Sequence, residues 1–199
     1  MLDPKRQQLI DKLDFYDREI NNSPAQSKIV ERIKTFVREN TNCFDRECYK
    51  GHVTGSAWVT NHKMTKYALM YHKKLEMWVQ PGGHCDGDPD TLKTAIKETE
   101  EELGLFELTP LLGGEILDVD VHLIPEKHGV APHYHYDIRY FLRGAHRADI
   151  FRNEESIEAR WFLSEEIRNL ESHTDPSVLR MLAKADDILA SMKGEEVVE

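Results

Sequence analysis

Cysteine is scarce in this sequence, which has three cysteines in 199 residues. A small, odd number of cysteines argues against a disulfide framework. Cys43 and Cys48, taken with His52, resemble half of a zinc site, but the pattern has no proper second pair of ligands. We therefore expect buried free thiols rather than zinc ligands.

Long apolar runs are also missing. No stretch approaches the roughly 18–20 apolar residues that a membrane-spanning helix needs. The opening residues 1–5, MLDPK, lack the charged segment and apolar run of a signal peptide. We expect a cytoplasmic protein with reduced thiols and no membrane partner.

Basic residues are outnumbered by acidic ones. The chain has 26 Lys and Arg against 36 Asp and Glu, for a formal net charge of −10. Such a chain lacks the overall attraction to phosphates that drives general nucleic-acid binding, so we expect no extended nucleic-acid partner. A local basic patch still permits a small anionic ligand.

The first 42 residues predict an N-terminal helical extension. Apolar residues recur at helical spacing from Leu9 to Ile20, and a second helix is expected from Pro24, with Ser23 as its N-cap. These helices could cover a site elsewhere in the chain or form a homodimer interface, and the sequence leaves both possibilities open.

The periodicity changes from about His52. Strand-like segments follow at 53–60, 67–71, 77–80, 115–124, 134–142 and 159–163. Asp88 followed by Pro89 is expected to open a helix, which Gly104 ends. The region 166–199 predicts C-terminal helices packed on this domain. The order favours an α/β fold with helices on both faces of a sheet.

Three glutamates cluster on the helix that ends at Gly104. Glu98, Glu101 and Glu102 share one arc, where each like-charged pair costs about 0.2–0.5 kcal/mol. A Mg²⁺ ion would remove this repulsion, because it prefers oxygen ligands. A solvated acidic patch is the plainer interpretation, although the helix dipole disfavours negative charge near a C-terminus. The preceding Gly82-Gly83 pair would let backbone carbonyls approach an ion closely.

The stretch GGHCDGDPDTLKTAIKETEEELGL, from residue 82 to 105, resembles the Nudix box, G-x5-E-x7-R-E-U-x-E-E-x-G-U, in which U is apolar. Gly83 stands at the first glycine, and residues 97–105 match the second half. Pro89, Lys97 and Thr99 depart from the pattern, where a glutamate, an arginine and an aliphatic residue are expected. The resemblance implies an α/β/α sandwich with mixed sheets over residues 43–165.

The resemblance also implies a reaction and roles for residues. Glu101 and Glu102 would be the main metal ligands with the Gly83 carbonyl, and Glu98 a further ligand or the group that orients the attacking water. The cofactor would be Mg²⁺, with Mn²⁺ as an alternative. The enzyme would hydrolyse a nucleoside diphosphate linked to a group X. Glu155 is our candidate for a further carboxylate that a loop contributes to the site. The alternative is that it belongs to an ordinary exposed turn.

A second cluster lies on one predicted strand. Alternation places His133, His135 and Asp137 on one face, and His84 lies beside the box glycines. Two interpretations of these histidines are open. They contact the substrate or form an auxiliary metal site, or they are structural residues whose nitrogens are satisfied by hydrogen bonds. Lys97 is a further candidate for substrate binding. Candidates for phosphate contact that are more simply surface charge are Lys73, Lys74, Arg139 and Arg143.

Two other functions stay open. Pro89 and Lys97 favour a Nudix-fold module that binds or senses a nucleotide without turnover. An isoprenoid diphosphate isomerase on the same fold would need a catalytic cysteine, for which Cys85 is the candidate near the box. The identity of X and of the base is not determined.

Overall fold

The computed structural model describes residues 2–126, 129–146 and 148–195, so that 196–199 of the predicted C-terminal region lie outside it. The helices are α1 (Pro4–Phe15), α2 (Pro24–Glu39), α3 (Thr91–Leu103), α4 (Ser164–Arg168) and α5 (Pro176–Glu195). The strands are β1 (Gly51–Thr60), β2 (Tyr67–His72), β3 (Met77–Val79), β4 (Gly82–His84), β5 (Thr109–Pro110), β6 (Ile116–Ile124), β7 (His133–Arg143) and β8 (Ser156–Phe162). The α/β class and the N-terminal helical segment are confirmed.

The N-terminal helices begin at prolines, as their sequences favour. Asp3 caps α1, because its side chain accepts hydrogen bonds from the backbone N–H groups of Lys5 and Arg6 at 3.0 and 3.1 Å. Ser23 occupies the N-cap of α2, but its side chain makes no capping bond. Instead its N–H donates to Asn21 Oδ1 at 2.9 Å, so the asparagine side chain organises this turn.

The chain forms two compact units. The first contains Met1–Ser56, Gly82–Glu98 and Leu112–Tyr140, and the second contains Ala57–Pro81, Thr99–Leu111 and Phe141–Glu199. Strands β1 and β7 and helix α3 each contribute residues to both units.

In the first unit, β6 pairs antiparallel with β7, and the first half of β1 pairs antiparallel with β4. Strand β4 was not expected, because Gly82-Gly83 indicated the end of a strand. Its partners are Ser56 and Gly55 of β1. Glycine has low strand propensity, so β4 exists because β1 provides hydrogen-bond partners rather than because of its own residues.

The start of α3 also differs from the prediction. The helix begins at Thr91, because Asp90 Oδ1 accepts the N–H of Lys93 at 3.0 Å and thereby caps the first turn. Asp88 instead accepts the N–H of Asp90 at 3.0 Å and shapes the preceding turn. Gly104, with φ of +64°, ends the helix as predicted.

In the second unit, β2 pairs antiparallel with the end of β1, with β3 and with β8, and β5 pairs with the end of β7. The unit's core contains Trp58, Leu69 and Phe162, all of which are fully buried. None of the helices in the described residues is both long and apolar enough to cross a membrane.

Within the first unit, α3 lies so close to β1 that only a glycine fits at position 55. A Cβ there would lie 2.4 Å from the carbonyl oxygen of Thr91 and 3.0 Å from Cβ of Thr94. The contact fixes the distance of the helix from the strand, and it sets the position of the first half of α3.

We predict that Gly55→Ala lowers the free energy of unfolding by about 1–3 kcal/mol, because helix and strand must separate to admit the methyl group. Gly144→Ala is the matched control, since a Cβ there meets its nearest atom, the carbonyl oxygen of Thr60, at 3.5 Å. Urea unfolding measures both variants. Equal losses in the two would contradict the close approach of α3.

Candidate functional site

A strand, a loop and a helix bring Gly83 against Glu98 in the first unit. A Cβ built on Gly83 would lie 2.5 Å from Cδ of Glu98 and 2.6 Å from its Oε2. The carboxylate therefore rests directly on the glycine backbone, which a larger residue would prevent. The two residues that the Nudix pattern places 15 positions apart are in contact.

Lys97 stands beside this carboxylate. Its Nζ lies 3.6 Å from Oε1 of Glu98, and the Glu98 side chain is 15% exposed. An ammonium is a compact point charge, whereas a guanidinium could bind both carboxylate oxygens. Lys97 thus keeps the charge of the arginine in the pattern but not its geometry.

Glu101 and Glu102 lie on the last turn of α3, in the second unit. Glu102 is buried at 5% exposure, and Glu101 is exposed. Thr99, at the aliphatic position of the pattern, is fully buried. The adjacent carboxylates of Glu101 and Glu102 therefore differ in exposure, although the spacing places them on one arc of the helix.

The acidic loop before α3 is bound by basic side chains. Asp86 accepts from Arg46, with Nη2 at 2.9 Å from Oδ2, and this hydrogen bond holds the pKa of Asp86 below its usual value. Asp88 accepts from Lys93 Nζ at 2.7 Å, which likewise lowers its pKa. Each of these carboxylates is therefore paired with a basic side chain at the surface.

The face of β7 that carries His133 and His135 continues into a buried ion-pair network. Arg139 donates from Nε to Asp137 at 2.7 Å and from its two terminal nitrogens to Asp118 and Asp120, each at 3.3 Å. Its side chain is only 3% exposed. Burial alone would lower the pKa of Arg139, but the three aspartates raise it above its usual value.

This position of Arg139 differs from the surface charge, or substrate contact, expected from the sequence. The guanidinium is committed to carboxylates of β6 and β7, because the two strands pair in register and place these residues on one face. Asp137 also accepts hydrogen bonds from the hydroxyl groups of Thr54 at 2.8 Å and Ser56 at 2.6 Å. The network therefore includes β1.

Farther along the same face, four histidine rings meet. The ring centroid of His52 lies 4.9 Å from that of His84, 5.0 Å from His133 and 4.7 Å from His135. His52, His133 and His135 each offer a ligand atom, and these atoms all lie within 4.8 Å of one another. His84, His133 and His135 thus come together as predicted, and His52 completes the group.

Sequence reasoning missed this role of His52, which was considered only beside Cys43 and Cys48. The signal was present in the alternation of β1, where His52, Thr54 and Ser56 share one face. All three cysteines are free and buried. Burial raises the pKa of Cys43 and of Cys85 to about 12, so that both thiols stay protonated.

Burial has the opposite effect on the histidines. It lowers the pKa of His52 to about 4, with further lowering from His84 and His133. The pKa of His135 is lowered in the same way, first by burial and then by the neighbouring histidines. Both imidazoles are therefore neutral at neutral pH, which is the form that binds metal ions.

Glu155 lies in the second unit, in the exposed turn before β8. Its N–H donates to Asn153 Oδ1 at 2.9 Å, and its carbonyl accepts from the N–H of Lys73 at 3.0 Å. The backbone of the turn is therefore ordered, and the Glu155 carboxylate extends from it at the surface.

A separate groove of about 420 Å³ lies on the other face of β7. Tyr134 and Tyr136 line it, and the Arg32 guanidinium stands 4.4 Å from the Tyr134 ring centroid. Because alternate residues of a strand point to opposite faces, this groove is separated from the histidines by the strand itself.

Comparisons with known proteins agree with this geometry. The family model of the NUDIX domain matches residues 51–182. No curated protein matches the chain. A NUDIX-family hydrolase from Clostridium perfringens has a similar structure, with 23% identity and a TM-score of 0.54 over 69% of this chain and 97% of that one.

Two other solved structures are similar. An Ap4A hydrolase from C. elegans, in a binary complex, is 17% identical with a TM-score of 0.56, over 70% of this chain and 98% of its own. A MutT protein from Methanosarcina mazei Go1 is 21% identical with a TM-score of 0.52, over 69% and 94%. At these identities the likeness establishes the fold.

We predict that Arg139→Met lowers the free energy of unfolding by about 3–5 kcal/mol, because buried carboxylates lose their cation. Arg143→Met, on the same strand but half-buried at its end, should change it by less than about 0.5 kcal/mol. Urea denaturation of both variants at neutral pH makes the comparison. A loss below 1 kcal/mol for Arg139→Met would exclude the network as a stabilising element.

Proposed function

Because the chain belongs to the Nudix hydrolase family, we propose that it hydrolyses a diphosphate bond in a nucleoside diphosphate linked to a further group X, by attack of water on phosphorus. The observation that carries the proposal is the contact between Gly83 and the Glu98 carboxylate. Gly83, whose carbonyl is a proposed ligand, is thereby placed against the helix that also bears Glu101 and Glu102.

Helix α3 supports a metal-dependent reaction. Nudix hydrolases generally use a divalent cation, and the carboxylates of Glu98, Glu101 and Glu102 with the Gly83 carbonyl are the oxygen ligands that Mg²⁺ prefers. We propose these four residues as the ligands, with Mn²⁺ as an alternative ion. When bound, the cation neutralises diphosphate oxygens and lowers the pKa of a bound water.

We assign the remaining roles in the reaction to individual side chains. We assign metal binding to Glu101 and Glu102, and to Glu98 either a further ligand bond or the orientation of the attacking water. Lys97, with Nζ 3.6 Å from Oε1 of Glu98, places a positive charge beside that carboxylate. Glu155 stays our candidate for a carboxylate from outside the box, since its side chain is exposed on an ordered turn.

The substrate class follows from the family, whose members typically act on nucleoside diphosphate derivatives. We propose a small nucleotide substrate, and we propose His84, His133 and His135 as groups near it. Arg139 is not included, because three aspartates occupy its guanidinium. The three reduced, buried thiols suit a reducing compartment, which supports our proposal of a cytoplasmic location.

One observation favours a second function, that of a nucleotide-binding or sensor module without turnover. Lys97, with Nζ 3.6 Å from Oε1 of Glu98, stands where the pattern has an arginine that could bind both carboxylate oxygens, and Pro89 removes a carboxylate. A diphosphate isomerase is disfavoured, because Cys85 is buried and its raised pKa keeps the thiol protonated.

We predict that Glu101→Gln combined with Glu102→Gln lowers kcat/KM at least about 100-fold on any diphosphate substrate that the wild type cleaves, because ligand charges are lost. The assay measures product release from a panel of nucleoside diphosphate derivatives with Mg²⁺, with Mn²⁺ and with chelator. Glu100→Gln, on the same helix but outside the ligand set, is the matched control and should stay within about twofold.

The panel separates the two functions. Metal-dependent turnover that the double variant loses and the control keeps supports the hydrolase. Well-folded wild-type protein that cleaves no member, but whose melting temperature rises with one nucleotide, would replace the hydrolase with the binding module.

We predict that Gly83→Ala lowers kcat by about 10- to 100-fold, because the new methyl group displaces the Glu98 carboxylate from its position. The displaced atoms are the far end of a flexible side chain, so the melting temperature should fall by only a few degrees. Gly144→Ala should leave both quantities unchanged. Full activity in Gly83→Ala would remove this contact from the mechanism.

A further inference from the structure

The four-histidine cluster of His52, His84, His133 and His135 is assembled from three strands of the first unit. Strand alternation places His133 and His135 on one face of β7, and β4 places His84 opposite Thr54 of β1. The ring centroids of neighbouring members lie 4.7–5.3 Å apart. Three strands therefore bring imidazole nitrogens to one point.

His52 is the buried centre of this cluster. It is 3% exposed, and both its Nδ1 and its Nε2 lack a hydrogen-bond partner within the part of the chain that the structure describes. Nε2 of His135 is likewise buried without a hydrogen-bond partner among the described residues. Buried polar atoms are almost always satisfied, so nitrogens that converge without partners indicate a missing ligand.

We propose that His52, His133 and His135 form a binding site for a divalent transition-metal ion of the zinc class. Their ligand atoms lie within 4.8 Å of one another. Nitrogens bound to one zinc ion at about 2.0–2.1 Å are roughly 3.3 Å apart in tetrahedral geometry, so modest ring rotations complete the site. His84, a water or a substrate oxygen can supply the fourth ligand.

The ligand type separates this site from the carboxylates of α3. Imidazole nitrogen favours Zn²⁺, Co²⁺, Ni²⁺ and Cu²⁺, whereas Mg²⁺ favours oxygen. The histidines would therefore retain a transition-metal ion in the presence of excess Mg²⁺. The inference does not rest on the proposed function, because it depends only on the histidines.

The surroundings agree with a metal site. His122 lies beside His135, with ring centroids 5.4 Å apart, and its Nδ1 is 3.6 Å from Oδ2 of Asp120. The anionic Arg139 network on the same face, with three aspartates to one arginine, also favours a bound cation.

The experiment is a titration of chelator-treated, full-length protein with Co²⁺, followed by its visible absorption. We expect one equivalent to bind with the intense d–d bands of four-coordinate nitrogen ligation. Zn²⁺ should displace the Co²⁺, and excess Mg²⁺ should not. Zn²⁺ should also raise the melting temperature of the wild type by several degrees, because it binds the folded state.

Variants decide whether the histidines are the ligands. His52→Gln should abolish the Co²⁺ spectrum, and the half-buried His133→Gln should weaken binding at least about tenfold. His62→Gln is the matched control, since His62 also stands against another histidine, His146, at 4.9 Å but outside the cluster. It should bind Co²⁺ like the wild type.

The outcome is clear even if His52→Gln does not fold, because His133→Gln and the wild-type titration test the site alone. A wild type that takes up no Co²⁺ or Zn²⁺ overturns the proposal and identifies the histidines as a neutral buried cluster. Unchanged affinity in His133→Gln overturns it as well.

The Glu101→Gln, Glu102→Gln variant separates this inference from the proposed function. It should bind Co²⁺ like the wild type while losing hydrolysis. Loss of the cobalt spectrum in that variant would assign the ion to the carboxylates instead, against the inference.

Discussion

The close approach of α3 to two glycines is the constraint on which the candidate site depends. Gly55 admits the first turn of the helix, and Gly83 admits the carboxylate of Glu98, each at distances that exclude a Cβ. Both glycines belong to paired strands, β1 and β4, so the hydrogen bonds of that pair transmit their positions to the helix. A paired strand can hold the Glu98 carboxylate within the small tolerance that the proposed reaction requires.

A second constraint is electrostatic. One face of β1, β6 and β7 buries an arginine, two aspartates and His52, which is costly unless each group has a partner. The structure meets this cost at one end with the Arg139 network and with the hydroxyl groups of Thr54 and Ser56. At the other end, His52 and His135 have buried nitrogens without a hydrogen-bond partner among the described residues. The contrast between the two ends is what makes the histidines a site rather than a part of the core.

The departures from the Nudix pattern have different consequences. Thr99 is buried where an aliphatic residue is expected, and its small size suits that position. Lys97 keeps a positive charge near Glu98 but loses the bidentate geometry. Pro89 precedes the helix, where Asp88 and Asp90 already organise the turn. Replacing the expected glutamate by Pro89 and the expected arginine by Lys97 therefore affects the proposed ligand set and does not disturb the fold.

The sequence by itself determined the elements that depend on neighbouring residues. The periodicity of α2 and α3, the glycine that ends α3, most strands and the box motif that led to the family were all predicted, because they are encoded within a few turns or a few alternations. Only the tertiary structure decided the rest. Strand β4, the burial of Arg139 and the meeting of His52 with His135 depend on pairing between segments up to 83 positions apart. Such register is set by long-range hydrogen bonds and packing, and no local pattern contains it.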